Sequence, residues 1–145
     1  MLVDFFMVLL LLCNVFKMAA RLDQLSSKYL DKKMAKYLKL YDDNAIIITR
    51  VGCHEHRNAP NSYKTVSLCE NSLELFVKEH QFIYFLFFHE CSSYGNKEIS
   101  HLCNNKKCIN ISHLSLEPHA INTQRRPCQS MSICLGHGIY PACIF

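Results

Sequence analysis

Nine cysteines and eight histidines constrain this chain more than any other feature, and they bunch toward its carboxyl-terminal third. An odd number of thiols cannot pair completely within one chain. At about 6% of residues, cysteine also falls short of the roughly 8–10% that marks a disulfide scaffold. Metal ligation is the better use for such a set, because zinc takes four tetrahedral thiolate and imidazole ligands and tolerates irregular loops around them.

Two clusters fit that chemistry. In the first, Cys103, Cys108 and His113 follow one another with four intervening residues, a spacing that can turn a short loop around one ion. Three ligands need a fourth. Cys53, in the turn after the first expected strand, is the first choice, with Cys69 and Cys91 as fallbacks. The second cluster, Cys128, Cys134, His137 and Cys143, supplies four ligands by itself, which leaves no open position for catalysis. A tail as short as residues 126–145 has too little to bury to fold alone, and zinc binding would supply the missing folding free energy. The competing readings are buried free thiols or disulfides; two adjacent clusters of matching type favour metal.

With 145 residues, half of them hydrophobic and 19% charged, the chain is the size of one domain and has the material for a packed core. Four glycines and four prolines exclude collagen-like and linker sequences, and no stretch repeats at a fixed period. The net charge of +4 does not name a polyanionic partner. Seven basic residues between Lys17 and Tyr41, against Asp23 and Asp31, make a face suited to phosphate or simply to water.

Residues 1–17 are nearly all apolar through Phe16, short of the roughly 20 residues that span a bilayer. They lack the basic start of a signal peptide, and Ala19–Ala20 is a poor cleavage site. Two readings stand side by side: a signal-like leader, or a segment outside the working protein if translation begins at Met18. No membrane is expected in the working form. Zinc thiolates suit a reducing compartment, so the nucleus or cytoplasm is expected and secretion is the minority reading.

Leu22, Leu25, Leu30, Met34, Tyr37 and Leu38 predict an amphipathic helix over 21–41. Residues 45–51 read as a strand whose hairpin partner is 63–68. Asn71 with Glu74 resembles a helix start, and 75–88 reads as a buried helix, although 82–88 alone would suit a strand. Pro118 suits the first position of a short helix over 118–126. The domains expected are thus 1–17, a basic helix over 18–44, and 45–145.

His101, His119 and Asn122 are not needed as zinc ligands. His101 stands two residues before Cys103, so a metal knot would hold its imidazole still. A neutral histidine is the usual general base and can take a proton from water attacking phosphorus. Asn122 lies one turn inside the short helix, where its carboxamide oxygen could bind a hard cation such as magnesium. Taken singly, each is an ordinary surface or capping side chain.

Taken together, residues 100–143 resemble the His-Cys box homing endonucleases of the ββα-metal, or His-Me finger, nuclease group. The resemblance aligns His101 in SHLC with the general base, Cys103, Cys108 and His113 with the first zinc site, Asn122 with the magnesium ligand, and Cys128, Cys134, His137 and Cys143 with the second zinc site. Gly52, Cys53 and Tyr63 match the region that donates the remaining first-site cysteine. The resemblance implies an α+β fold: a small ββα-metal core, two structural zinc sites and little regular structure in the tail. It also implies a magnesium-dependent endodeoxyribonuclease acting on double-stranded DNA. A homodimer is implied too, but the sequence stops two residues after Cys143, where family members carry a longer dimer-holding tail. The family's arginine near the scissile phosphate has no clear counterpart here; Lys64 or Lys78 is the expected substitute, while Arg125 and Arg126, beside Asn122, read as a solvated pair or as further phosphate contacts. The alternative function is a zinc-stabilised DNA-binding or interaction module that has lost cleavage. A secreted disulfide protein, compatible with the Asn110, Ile111, Ser112 triplet, is a third.

Overall fold

The computed structural model describes residues 21–90 and 96–145; the apolar segment 1–17, the Met18 start and the fallback ligand Cys91 lie outside them. The fold is α+β. Helix α1 (Ser27–Asp42) begins where Ser26 accepts the Tyr29 backbone N–H, a serine N-cap, and ends in a Lys39–Asp43 ion pair. Three antiparallel hairpins follow in chain order: β1 (Ile46–Ile48) with β2 (His54–His56), β3 (Thr65–Glu70) with β4 (Leu73–Lys78), and β5 (Lys97–His101) with β6 (Leu114–Pro118). Helix α2 (Glu79–Phe88) continues directly from β4, and α3 (His119–Met131) from β6. No helix or strand occurs after Met131.

Two pairings differ from those read in the sequence. The partner of β1 is His54–His56, not 63–68, because Thr49 and Gly52 close a tight turn: the Gly52 N–H donates to the Thr49 carbonyl at 2.9 Å, and Gly52 sits at φ +79°, a conformation that favours glycine. The expected helix start at Asn71 is instead a hairpin turn. Asn71 and Ser72 both have positive φ, 47° and 67°, the two-residue geometry whose twist matches that of paired strands. Leu75 and Val77 of β4 then face inward while Phe76 is 65% exposed. Only residues 79–88 of the expected helix are helical, and the run 82–88 belongs to that helix and not to a strand.

The main core joins Leu22, Leu25, Leu68, Leu75, Val77, Phe82, Phe85 and Leu86, so the second hairpin is roofed by α2 and the amino-terminal turn. Burying each such side chain stabilises by roughly 1.5–3 kcal/mol. A second cluster seats Tyr37 of α1 on Ile83 and Ile109, and the Tyr37 hydroxyl donates to the Ile109 carbonyl at 3.2 Å. A third, Tyr84, Ile99 and Leu114, fastens α2 to the β5–β6 hairpin. Residues 97–131 thereby form a ββα unit held against the rest of the chain.

Candidate active site and metal centres

Cys53, Cys103, Cys108 and His113 come together with all four ligand atoms within 4.8 Å of one another. Their origins are dispersed: Cys53 ends the β1–β2 turn, Cys103 and Cys108 lie in the loop after β5, and His113 closes a short 3-10 turn (Ile111–His113). Second contacts hold that loop. Asn110 Nδ2 donates to the Gly52 carbonyl at 2.8 Å, the Ile109 N–H to the His54 carbonyl at 2.8 Å, and Asn105 Nδ2 to Glu55 at 2.6 Å, with Lys107 paired to the same carboxylate at 2.8 Å. His113 turns Nδ1 inward, 3.6 Å from the sulfurs of both Cys53 and Cys108. Without an ion the thiols compete for protons. A hydrogen bond from Cys103 holds Cys108 down at about 5, and the same bond, together with burial, pushes Cys103 up. Three sulfurs and an imidazole in a buried knot are the donor set of a structural zinc, with no position left open. Cys69, the fallback ligand, is exposed on β3, away from this group.

Cys128, Cys134, His137 and Cys143 also gather within 4.8 Å. Cys128 is held by α3; the other three lie in the irregular tail. His137 Nε2 approaches Cys143 at 3.2 Å and Cys128 at 3.6 Å, while its buried Nδ1 has no partner among the described residues. The donor set again suits zinc. None of the seven described cysteines is in a disulfide, and all but Cys69 belong to one of these clusters.

Arg125 ties the second cluster to the hairpin. It forms a fully buried pair with Glu117 of β6 at 2.6 Å, and it also donates to the Pro141 carbonyl at 2.9 Å and to the Cys143 sulfur at 3.6 Å. Its sequence reading as a solvated neighbour of Asn122 is therefore overturned: Arg125 is 3% exposed. A guanidinium fork matching a carboxylate explains how it can be.

His101 ends β5 with its ring buried. Nε2 lies 3.0 Å from the Cys108 carbonyl, and a carbonyl can only accept, so the proton sits on Nε2 and Nδ1 keeps its lone pair. Burial pushes the imidazole down to about 4, so it is neutral at physiological pH. Its ring packs at 4.4 Å on His80 and at 5.8 Å on Tyr63. His80, on α2, is likewise buried and pushed down to about 3 by burial first and then by His101. Lys78 lies 4.5 Å and Lys106 5.8 Å from the centre of the Tyr63 ring, so two cations flank the tyrosine that packs on His101. Of the two lysines expected to replace the missing arginine, Lys64 is engaged elsewhere, 3.0 Å from both Glu79 and His56.

Asn122 lies in the first turn of α3, as expected from Pro118. Its Nδ2 donates to Glu98 Oε1, which also meets His119 Nδ1 at 3.1 Å. His101 and Glu98 alternate to opposite faces of β5, and no hydrogen bond joins His101 to Asn122. Tyr63, which packs on His101, is raised first by burial and further by the Glu98 charge. The Asn122 Oδ1 is a hard oxygen of the kind magnesium takes, so the residue fits that ion. Sequence reasoning missed His80, which is hidden in an apolar run, and Glu98, whose partners are more than 20 residues away.

Compared with known families, residues 52–143 match the one described as the zinc-binding loop region of homing endonuclease. No curated protein and no solved structure matches the chain.

Proposed function

The chain belongs to the homing-endonuclease zinc-binding-loop family, and from that premise we propose that it is an endonuclease that hydrolyses phosphodiesters in double-stranded DNA with His101 as general base. The observation that carries this reading is the tautomer of His101. The Cys108 carbonyl accepts a hydrogen bond from Nε2–H, which leaves Nδ1 as a neutral, oriented base. His80 packs on the same ring and limits its rotation. Lys78 and Lys106, both against the Tyr63 ring that packs on His101, would hold phosphates near the bond to be cut; as point charges they would hold less firmly than a bidentate arginine. Asn122 would hold a magnesium ion, which when bound stabilises negative charge on the departing oxygen. The two thiol clusters would carry zinc as scaffold only and suit a reducing compartment, which supports work in the nucleus or cytoplasm. A single base per chain cuts one strand, so a double-strand break takes two copies.

Purified zinc-loaded protein should nick supercoiled plasmid in the presence of magnesium, and His101→Ala should abolish nicking with the zinc content unchanged. Equal cutting by wild type and variant would remove His101 as the base. Salt-dependent DNA binding without scission would leave the zinc-stabilised binding module instead.

A further inference from the structure

Among the described residues, Glu98 is the acidic side chain that hydrogen-bonds Asn122, and neither family membership nor residue spacing gives it a task. A primary carboxamide offers a cation one useful atom, its oxygen, and turns freely about its last torsion. In a helix exposed on one side, such a group points its oxygen and its nitrogen outward about equally unless a neighbour chooses for it. The neighbour here is Glu98 on β5. Its Oε1 is an acceptor and meets the Asn122 Nδ2, so the amide nitrogen is turned toward the strand and Oδ1 away from it. The carboxylate is itself held: the His119 Nδ1, three residues before Asn122 on the same helix, lies 3.1 Å from the same oxygen. Glu98 is 34% exposed at its side chain, too open to serve the core, and among the described residues no hydrogen bond engages its second oxygen.

We propose that Glu98 is a positioning residue for the divalent-cation site: it fixes the rotamer of Asn122 so that the carboxamide oxygen faces the cation. This rests on the reading of Asn122 as the cation ligand. The role belongs to hydrogen-bond acceptance and not to charge, so glutamine, whose carbonyl oxygen accepts the same N–H, should stand in for Glu98, whereas alanine cannot.

The test is paramagnetic broadening of the Asn122 side-chain amide and its neighbouring backbone signals by manganese(II). It uses the full-length zinc-loaded chain without DNA, so nothing depends on cleavage. In wild type, substoichiometric manganese should broaden these signals selectively. Glu98→Ala should need at least tenfold more manganese for the same broadening, and Glu98→Gln no more than about threefold. Glu98→Thr, a strand former too short to reach the carboxamide, should behave like alanine and replaces it if the alanine variant loses its zinc-bound spectrum. Alanine and threonine variants as sensitive as wild type would overturn the proposal. So would a glutamine variant as insensitive as alanine, since Glu98 would then act through its charge as a direct ligand. Wild type showing no selective broadening at Asn122 would sink the cation reading itself, a failure visible before any Glu98 variant is made.

Discussion

The two Cys/His clusters share a donor set and differ in how they are built. The first draws on two stretches of chain, with Cys53 and His113 60 residues apart, and its loop is fastened by side chains to β2, to α1 and to the Gly52 turn. The second is complete within residues 128–143 and hangs from the end of α3, with Ile133, Leu135 and Ile139 largely exposed around it. One is a rivet through an already packed body, and the other stands in for a core that the tail lacks. His101, the base proposed above, belongs with the rivet, since the carbonyl that holds it comes from Cys108.

That contrast can be broken most forcefully by removing ligands one cluster at a time. Structural zinc contributes apparent binding energies of about 10–16 kcal/mol in small domains. Cys108→Ser should therefore cost the whole fold its cooperative transition, whereas Cys134→Ser should release only the segment after Met131. Limited proteolysis with mass spectrometry checks this: a stable core ending near residue 131 is expected for the second variant alone. Equal collapse of both variants would show that the clusters are not independent.

Arg125 is the link between the second cluster and the β5–β6 hairpin, and its loss should be felt in both. Arg125→Met leaves Glu117 buried and unpaired, which typically costs about 3–5 kcal/mol. Because Arg125 also holds the Pro141 carbonyl and the Cys143 sulfur, the tail should give up its metal first. A chromogenic chelator should then register biphasic zinc release where wild type shows slower release from both sites.

Acid sharpens the comparison from the other direction. A histidine with a lowered folded pKa is protonated first in the unfolded chain, so its contribution to stability is full above about pH 6.5 and is lost as pH falls toward the folded value, here about 3 for His80. His80→Asn should flatten the stability slope by about one proton, or ~1.4 kcal/mol per pH unit between pH 6 and 4. Denaturant titrations at several pH values measure it; an unchanged slope would mean that His80 protonates inside the fold.

The smallest effect belongs to the tail's surface. Ile139 is 95% exposed, so Ile139→Ser should change stability by no more than about 0.5 kcal/mol in urea titrations. A larger loss would mean that the tail is packed by something other than its metal knot.

The sequence disclosed the clusters better than the scaffold around them. Cysteine and histidine spacing is local, so Cys103, Cys108 and His113, and the whole second set, could be read directly, while Cys53 needed the fold to bring it across. The hairpins were harder. β2 is His-Glu-His and carries no apolar alternation, so its pairing with β1 was invisible. At Asn71 the same residue that caps helices also accepts positive φ, and the exposed Phe76 blurred the alternation of β4. Glu98 and His80 gain their places from contacts across elements, which no spacing rule reports.

Cys108 carries two duties on two atoms: its sulfur belongs to the metal knot and its backbone oxygen sets the tautomer of His101. Side-chain substitution can reach only the first of these, and doing so dislodges the second. Mutational drift therefore has no gradual route at this position: exposed lysines can be exchanged one at a time in small increments, but the His101 imidazole and its anchor are inherited or forfeited together.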